Sequence, residues 1–353
     1  MKASIIGTFS VLTLFLFALA GCKTTVSYTG LRPADVNLPS NVKSVLLLNR
    51  YKPTKQNKWL NIVEGLFTGE ILFADRRGVE QTLAGLQSRL QSGPKFTVSI
   101  ANEIFEGTGT GMFPPPLQMA DIDRLCKTYN VDAVIALEAF DSDINITTEP
   151  RQRKRTVNGK EVIENFFLAS ENVRINVGWR IYNGVGGTVI DQHQMLSREV
   201  FTHEGSTVEI ARVGLLFPAD AIMRTGYSAG DAYGIRIAPS WVNYVREIYG
   251  RAASINNMKI AKRMAIRGDW QQAAEIWQKF ANHPRQKVAK RAMYNRAVAA
   301  EMLSNYDEAL EWARKAADIY GLRSANRYIF VLNERLSELQ RLDQQMESAP
   351  NKQ

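Results

Sequence analysis

Hydrophobic positions change their period several times along the chain, and each change marks an element. Behind Lys2, residues 5–20 are almost continuously apolar, and Ala20 and Gly21 close the run with small side chains. A charged start, an apolar middle and small residues at a cleavage point predict a secretory signal peptide over 1–21. The run is shorter than the roughly 20 residues that span a bilayer as a helix. Residues 22–41 are polar, hold Pro33 and Pro39, and are expected to form a spacer. The run Val45-Leu46-Leu47-Leu48 then reads as a strand buried on both faces. Val79, Leu83, Leu86 and Leu90 predict a helix over 76–90, residues 96–100 a strand, 117–129 a helix and 131–140 a second apolar strand. Strand, helix, strand, helix, strand predicts an α/β unit whose sheet is at least partly parallel.

From 141 to 203 the period becomes two. Asn158-Gly159 is a two-residue hairpin signal, and Val173, Ile175, Val177, Trp179 and Ile181 alternate with polar neighbours. Asn183-Gly184-Val185-Gly186-Gly187 turns the chain into a further strand. Residues 207–249 read as mostly helical, with Pro218 near a helix start and Pro239 breaking two segments. Beyond about 252 the pattern is wholly helical and repeats. The stretch Gly268-Asp269-Trp270-Gln271-Gln272-Ala273 realigns on Ser304-Asn305-Tyr306-Asp307-Glu308-Ala309 at an offset of 36. Ala261 and Ala297 lie the same twelve residues before Ala273 and Ala309. A final helix over 324–345 carries Tyr328, Leu332, Leu336 and Leu339 on one stripe. The expected fold is therefore an α/β (α+β) domain with a mixed sheet and antiparallel hairpins over 42–250, helical repeats over 251–347 and a frayed tail over 348–353.

Composition changes this picture little. The chain has 353 residues, of which 45% are apolar and 22% charged, the balance of a globular protein with a sizeable core. Two cysteines, Cys22 and Cys126, leave no room for a disulfide framework if Cys22 is modified. Cys126 is expected as a buried, inert thiol. The net charge of +9 argues for non-specific attraction to anions, and in a cell envelope these are lipid headgroups and cell-wall carboxylates rather than nucleic acid.

Leu19-Ala20-Gly21-Cys22, ending an apolar run, resembles the lipobox of bacterial lipoproteins. That resemblance implies cleavage before Cys22, acylation of Cys22 with fatty-acyl (palmitate-type) chains, and membrane attachment. Lys23, where an aspartate would mark inner-membrane retention, implies the outer membrane, with the body facing the periplasm. The paired motifs resemble tetratricopeptide repeats, in which small residues let antiparallel helices approach and an aromatic fills the space between them. The family period is 34, so two residues are in excess, placed at His283-Pro284-Arg285-Gln286. The order of elements in the α/β unit, with the passage Tyr129-Asn130-Val131-Asp132-Ala133-Val134-Ile135, resembles the amino-terminal domain of periplasmic helper lipoproteins and of the curli secretion-channel protein. Lipobox and repeats together, with Leu66-Phe67-Thr68-Gly69-Glu70 and Leu137-Glu138-Ala139-Phe140-Asp141-Ser142-Asp143, resemble a family of uncharacterised lipoproteins of Gram-negative bacteria. That resemblance implies no activity.

Candidate chemistry is sparse. Glu138, Asp141 and Asp143 cluster at a strand end, where Glu70 and Asp75 could approach them to offer oxygens to a hard cation. The alternative is that these acids are solvated or paired with arginines. Three histidines, His193, His203 and His283, show no zinc-ligand spacing. Gly107-Thr108-Gly109-Thr110-Gly111 lacks the lysine of a phosphate loop and runs into Pro114-Pro115-Pro116, so it is expected as a flexible loop. The basic run at Arg151, Arg153, Lys154 and Arg155 is a hairpin tip that could touch lipid or cell wall. No cofactor is implied. The expected function is a periplasmic adaptor whose repeats, around Trp270, Trp277, Tyr306 and Trp312, bind an envelope protein. The alternatives are a metal-dependent or acid/base envelope enzyme centred on Glu138, Asp141 and Asp143, and a regulator of a cell-wall synthase.

Overall fold

Leucine and valine runs with no polar face can be satisfied only between two covering layers, and the central strands sit in that position. The computed structural model describes residues 23–39, 41–51, 68–250 and 255–346. The lipobox, with Cys22, and the tail from 347 lie outside them. Packing divides the chain into two units: Pro33–Ser240 with the residues from Asp343, and the residues up to Arg32 with Trp241–Leu342. Among the described residues no helix is long and apolar enough to cross a membrane.

In the first unit, β2 (Ser44–Asn49), α1 (Thr68–Ser92), β3 (Thr97–Ile104), α2 (Met119–Tyr129) and β4 (Ala133–Val157) alternate as predicted. They are followed by β5 (Lys160–Asn183), β6 (Val189–Gly205), α3 (Val208–Val213) and α4 (Pro218–Ile237). The five-stranded sheet has the order β3-β2-β4-β5-β6, parallel across β3-β2-β4 and antiparallel beyond. The connection from β2 to β3 runs one way and that from β3 to β4 returns past β2. Right-handed crossovers therefore put α1 and α2 on opposite faces. The two apolar layers agree: Val79, Leu83, Leu86 and Leu90 of α1 pack with Leu47, Ile135 and Tyr233 on one face. Ile122 and Leu125 of α2 pack with Leu46, Leu48 and Val134 on the other.

The helix pair α1 and α4 approaches through glycines. A Cβ added at Gly230 would meet the Thr82 carbonyl oxygen at 1.8 Å, and one at Gly85 the Tyr227 oxygen at 2.1 Å. Trp179 stacks on Tyr233 beneath them, with ring centroids 4.7 Å apart. The predicted hairpin is present, Asn158 and Gly159 taking φ of 51° and 76° between Val157 and its partner Lys160, the left-handed pair a two-residue turn requires. The strand expected to end at 140 instead runs to Val157. Beyond the Phe167–Gly205 pair, β6 no longer accompanies β5, so the tip is a two-stranded ribbon.

The second unit corrects two expectations. The residues expected as a spacer enter β1 (Lys23–Arg32) directly, and the stretch expected as helical ends in β7 (Ser240–Tyr249), which pairs with β1 in a two-stranded sheet. Lys23 meets Glu247 and Thr29 meets Asn243, so the two strands run antiparallel. Their helical companions are α5 (Asn256–Ile266), α6 (Trp270–Lys279), α7 (Gln286–Met302), α8 (Tyr306–Asp318) and α9 (Arg323–Met346). Ala261, Ala273, Ala297 and Ala309, the four positions of the repeated spacing, have no exposed surface.

Candidate functional site

In open α/β sheets ligands collect at the carboxyl ends of the strands where successive crossovers diverge. Here that point lies between β2 and β4, at Asn49–Tyr51 and Leu137–Ser142. A register shift between Leu137 and Ala139 changes which residues face which layer. Leu137 and Phe140 both pack in the α1 layer, whereas Ala139 lies beside its partner Gly178 on the other face. Glu138, Asp141 and Asp143 thus emerge away from α1, and Ser142 points toward it.

The three acids nevertheless do not form one cation site, and among the described residues no group of three or more His, Cys, Asp or Glu could hold a metal ion. Glu138 is only 1% exposed. Its carboxylate accepts from Tyr182 Oη and Arg50 Nη1 at 2.5 Å each, with Arg180 Nη1 at 3.4 Å. Burial pushes its pKa up, and Tyr182, Arg50 and Arg180 pull it down. The same arginines hold the loop above them: Arg50 donates to the carbonyls of Glu106 and Pro115, and Arg180 to that of Pro114 while lying over the Phe113 ring. The two arginines thus hold the backbone on both sides of the glycine-rich stretch 107–111 that the sequence marks as flexible. At Gly107 a Cβ would fall 1.8 Å from the Arg50 carbonyl oxygen. Asp143 is paired with Arg174 at 2.9 Å. Asp141 keeps a raised pKa, from burial and then from Asp143.

On the α1 face a second acidic group takes the position the sequence assigned loosely. Asp75, 8% exposed, accepts hydrogen bonds from Ser142 Oγ and, at 3.4 Å, from Tyr51 Oη. Burial and the Asp141 charge raise it, the Ser142 and Tyr51 hydrogen bonds oppose them, and its pKa is pushed up to about 6. A carboxyl poised there can donate or accept a proton near neutrality. The Glu70 side chain lies outside the description. Because the folded state holds the Asp75 proton more tightly than the unfolded chain does, stability falls as pH rises from about 4 through about 6 and is level above. Asp75→Asn should remove this slope and raise stability at pH 7 by about 3 kcal/mol, as read from denaturant midpoints across pH 4–8. An unchanged slope would show that Asp75 is not the titrating group.

The remaining candidates are placed as follows. Trp277 is fully buried, and Trp270, Tyr306 and Trp312 pack partly buried against the same core. Trp277 thus fills the space between helices, while Trp270, Tyr306 and Trp312 keep part of their surface exposed. The exposed large apolar side chains of that unit, among the described residues, are others: Trp241, Val245, Ile266, Ile319 and, most exposed at 70%, Phe330. At the hairpin tip Arg151 pairs with Glu149, Arg153 with Glu164 and Glu204, and Lys154 with Glu161, while Arg155 is exposed. The basic run is partly neutralised by its own strands. Cys126 is buried, and burial, Asp132 and Asp123 raise its thiol pKa, an unreactive setting.

Two polar features escaped the sequence. Glu301, 1% exposed, accepts from Arg246 Nε at 2.7 Å and Nη2 at 2.6 Å, from Tyr28 Oη at 2.9 Å and from Tyr328 Oη. Glu171 on β5 is buried with neither carboxylate oxygen bonded among the described residues, and burial raises its pKa.

Comparison with known proteins adds the following. The PelC dodecamer from Paraburkholderia phytofirmans is 11% identical, with 61% of this chain and 99% of that one covered and a TM-score of 0.23. A neuraminyllactose-binding hemagglutinin homolog from Helicobacter pylori is 13% identical, with 57% and 87% covered and the same TM-score of 0.23. No curated protein matches the chain. Residues 259–340 match a family model described as a domain of unknown function, DUF6340. Residues 42–249, more than half of the chain, match the model described as a domain of unknown function, DUF8603, and the chain belongs to that family.

Proposed function

We propose that this protein is a lipid-anchored adaptor of the cell envelope, acylated at Cys22, attached to the outer membrane on its periplasmic side, and binding an envelope protein through tetratricopeptide-like helices. The observation that carries this reading is the doubled alanine seam. Ala261 with Ala273, and Ala297 with Ala309, are buried at the same spacing in successive helix pairs, and stacked helix pairs offer extended surfaces to protein partners. Phe330 on α9, the most exposed large apolar side chain of that unit among the described residues, is a position available for such a contact.

The test uses the full-length chain in intact cells. A photocrosslinking residue at Phe330 should capture one envelope protein, and Phe330→Asp should abolish its co-purification. Capture that is equal at exposed Arg314, or absent, would contradict the adaptor reading. Truncation is a poor substitute, because a chain stopped after Gly250 would strip β1 and β7 of the helices that hold Tyr28 and Arg246.

An acid/base enzyme is the second reading, favoured by one observation, the pKa of about 6 at Asp75. Its centre would be Asp75 with Ser142 and Tyr51, not the grouping of Glu138, Asp141 and Asp143.

A further inference from the structure

Strand β1 begins at Lys23, so nothing separates Cys22 from the folded body except one peptide link of about 3.8 Å between Cα atoms. Lys23 is also fixed, by its ion pair with Glu247 at 2.6 Å and by its position 5.5 Å over the Tyr249 ring. An acylated Cys22 would therefore hold the surface around Lys23 at the depth of the lipid headgroups, without the slack of a linker.

That surface contains a cleft of about 220 Å³, whose lining includes Lys23, Arg246, Arg327, Ser324, Tyr294 and Tyr328. Three of these side chains are cationic. Glu247 answers Lys23, and Glu301, buried beneath, answers Arg246. Arg327 is exposed and makes no ion pair or hydrogen bond among the described residues. The cleft thus keeps a surplus positive charge. Ser324 and Arg327 lie in the first turns of α9, where the helix dipole adds to the attraction for an anion.

From this placement we infer that the cleft takes the headgroup phosphate of an anionic phospholipid from the leaflet that holds Cys22. Its place at the bilayer rests on the anchor proposed above. Arg327 supplies the uncommitted charge, Lys23 sits at the rim next to the anchor, and Arg246 is pre-oriented by Glu301.

The experiment uses the mature chain with Cys22→Ser, which leaves β1 untouched and removes the lipid as a cause of binding. Co-sedimentation with phosphatidylcholine vesicles containing phosphatidylglycerol should exceed that with phosphatidylcholine alone. Arg327→Gln should weaken binding to the anionic vesicles about five-fold, the effect of one basic side chain near a charged surface, whereas Arg314→Gln on the exposed face of α8 should leave it unchanged. Equal weakening by both substitutions, or none by Arg327→Gln, would overturn the cleft. Displacement by millimolar inorganic phosphate at constant ionic strength would overturn the lipid source in favour of free phosphate. The anchor is read separately, from the mass of the amino-terminal peptide. An unmodified Cys22 with Arg327-dependent vesicle binding would sink the anchor alone, and an acylated Cys22 without that binding would sink the cleft alone.

Discussion

Glu138→Ala is expected to destabilise the α/β unit by about 3–5 kcal/mol, the cost of stranding a buried partner charge. The substitution leaves Arg50 and Arg180 side chains, 8% and 6% exposed, without their counter-charge. It also removes the acceptor for Tyr182 Oη, a hydroxyl that itself accepts from the Leu117 backbone N–H at 3.1 Å. The loss should spread into the loop that the two arginines pin, so amide exchange at residues 106–117 should rise with the fall in the unfolding midpoint. Glu138→Gln, which keeps acceptor oxygen and volume, should cost less. Replacing Arg50 and Glu138 together should recover part of the loss, because the buried charge leaves with its partner. A midpoint unchanged by Glu138→Ala would refute the view that this carboxylate is a structural tie. The contrast with Asp75 follows from partners: one acid is answered by two guanidinium groups and the other only by two hydroxyls.

The second large effect belongs to the crossing of α1 and α4. Gly230→Leu would drive a side chain into the Thr82 backbone, where even a Cβ arrives at 1.8 Å. Backbone cannot rotate aside as a flexible side-chain end can, so the helices must separate. That would lift Tyr233 off Trp179 and open the layer containing Leu86 and Ile222. The expected cost exceeds about 4 kcal/mol, in the range reserved for gross core disruption, and the measurable outcome is loss of the cooperative unfolding transition of this unit. Gly268→Ala is the control. Its site has nothing within 4 Å, and only its φ of 92° resists a side chain, so a loss of about 1 kcal/mol is expected. Similar losses at the two positions would refute the close-approach account.

The elements legible in the sequence were those whose buried side chains are apolar. Val79, Leu83, Leu86 and Leu90 all lie in the core, and the Asn158-Gly159 turn declared itself through residues that tolerate positive φ. β1 and β7 were missed because their inward positions include Tyr28, Gly30, Tyr244 and Arg246, which do not read as hydrophobic. They are accommodated by Glu301 and by Arg335 with Glu338, contacts more than fifty residues away in the chain. The same reason hid the polar ties at the strand ends. Clustering of Glu138, Asp141 and Asp143 was visible, but the β-bulge and the arginine partners that separate their roles come from the sheet register. The spacing of Gly226, Gly230 and Gly234 is a local signal for one side of the helix crossing, but nothing in the sequence shows that α1 brings its own glycines, Gly78 and Gly85, to meet it.

The central claim, a folded body held at the membrane through Cys22, is tested most directly by mass spectrometry of the amino-terminal peptide of the protein extracted from cell membranes. The account predicts a peptide that begins at Cys22 and carries a diacylglyceryl group on sulfur and an acyl chain on the amino group. A peptide that retains residues before Cys22, or one with an unmodified cysteine, would contradict it.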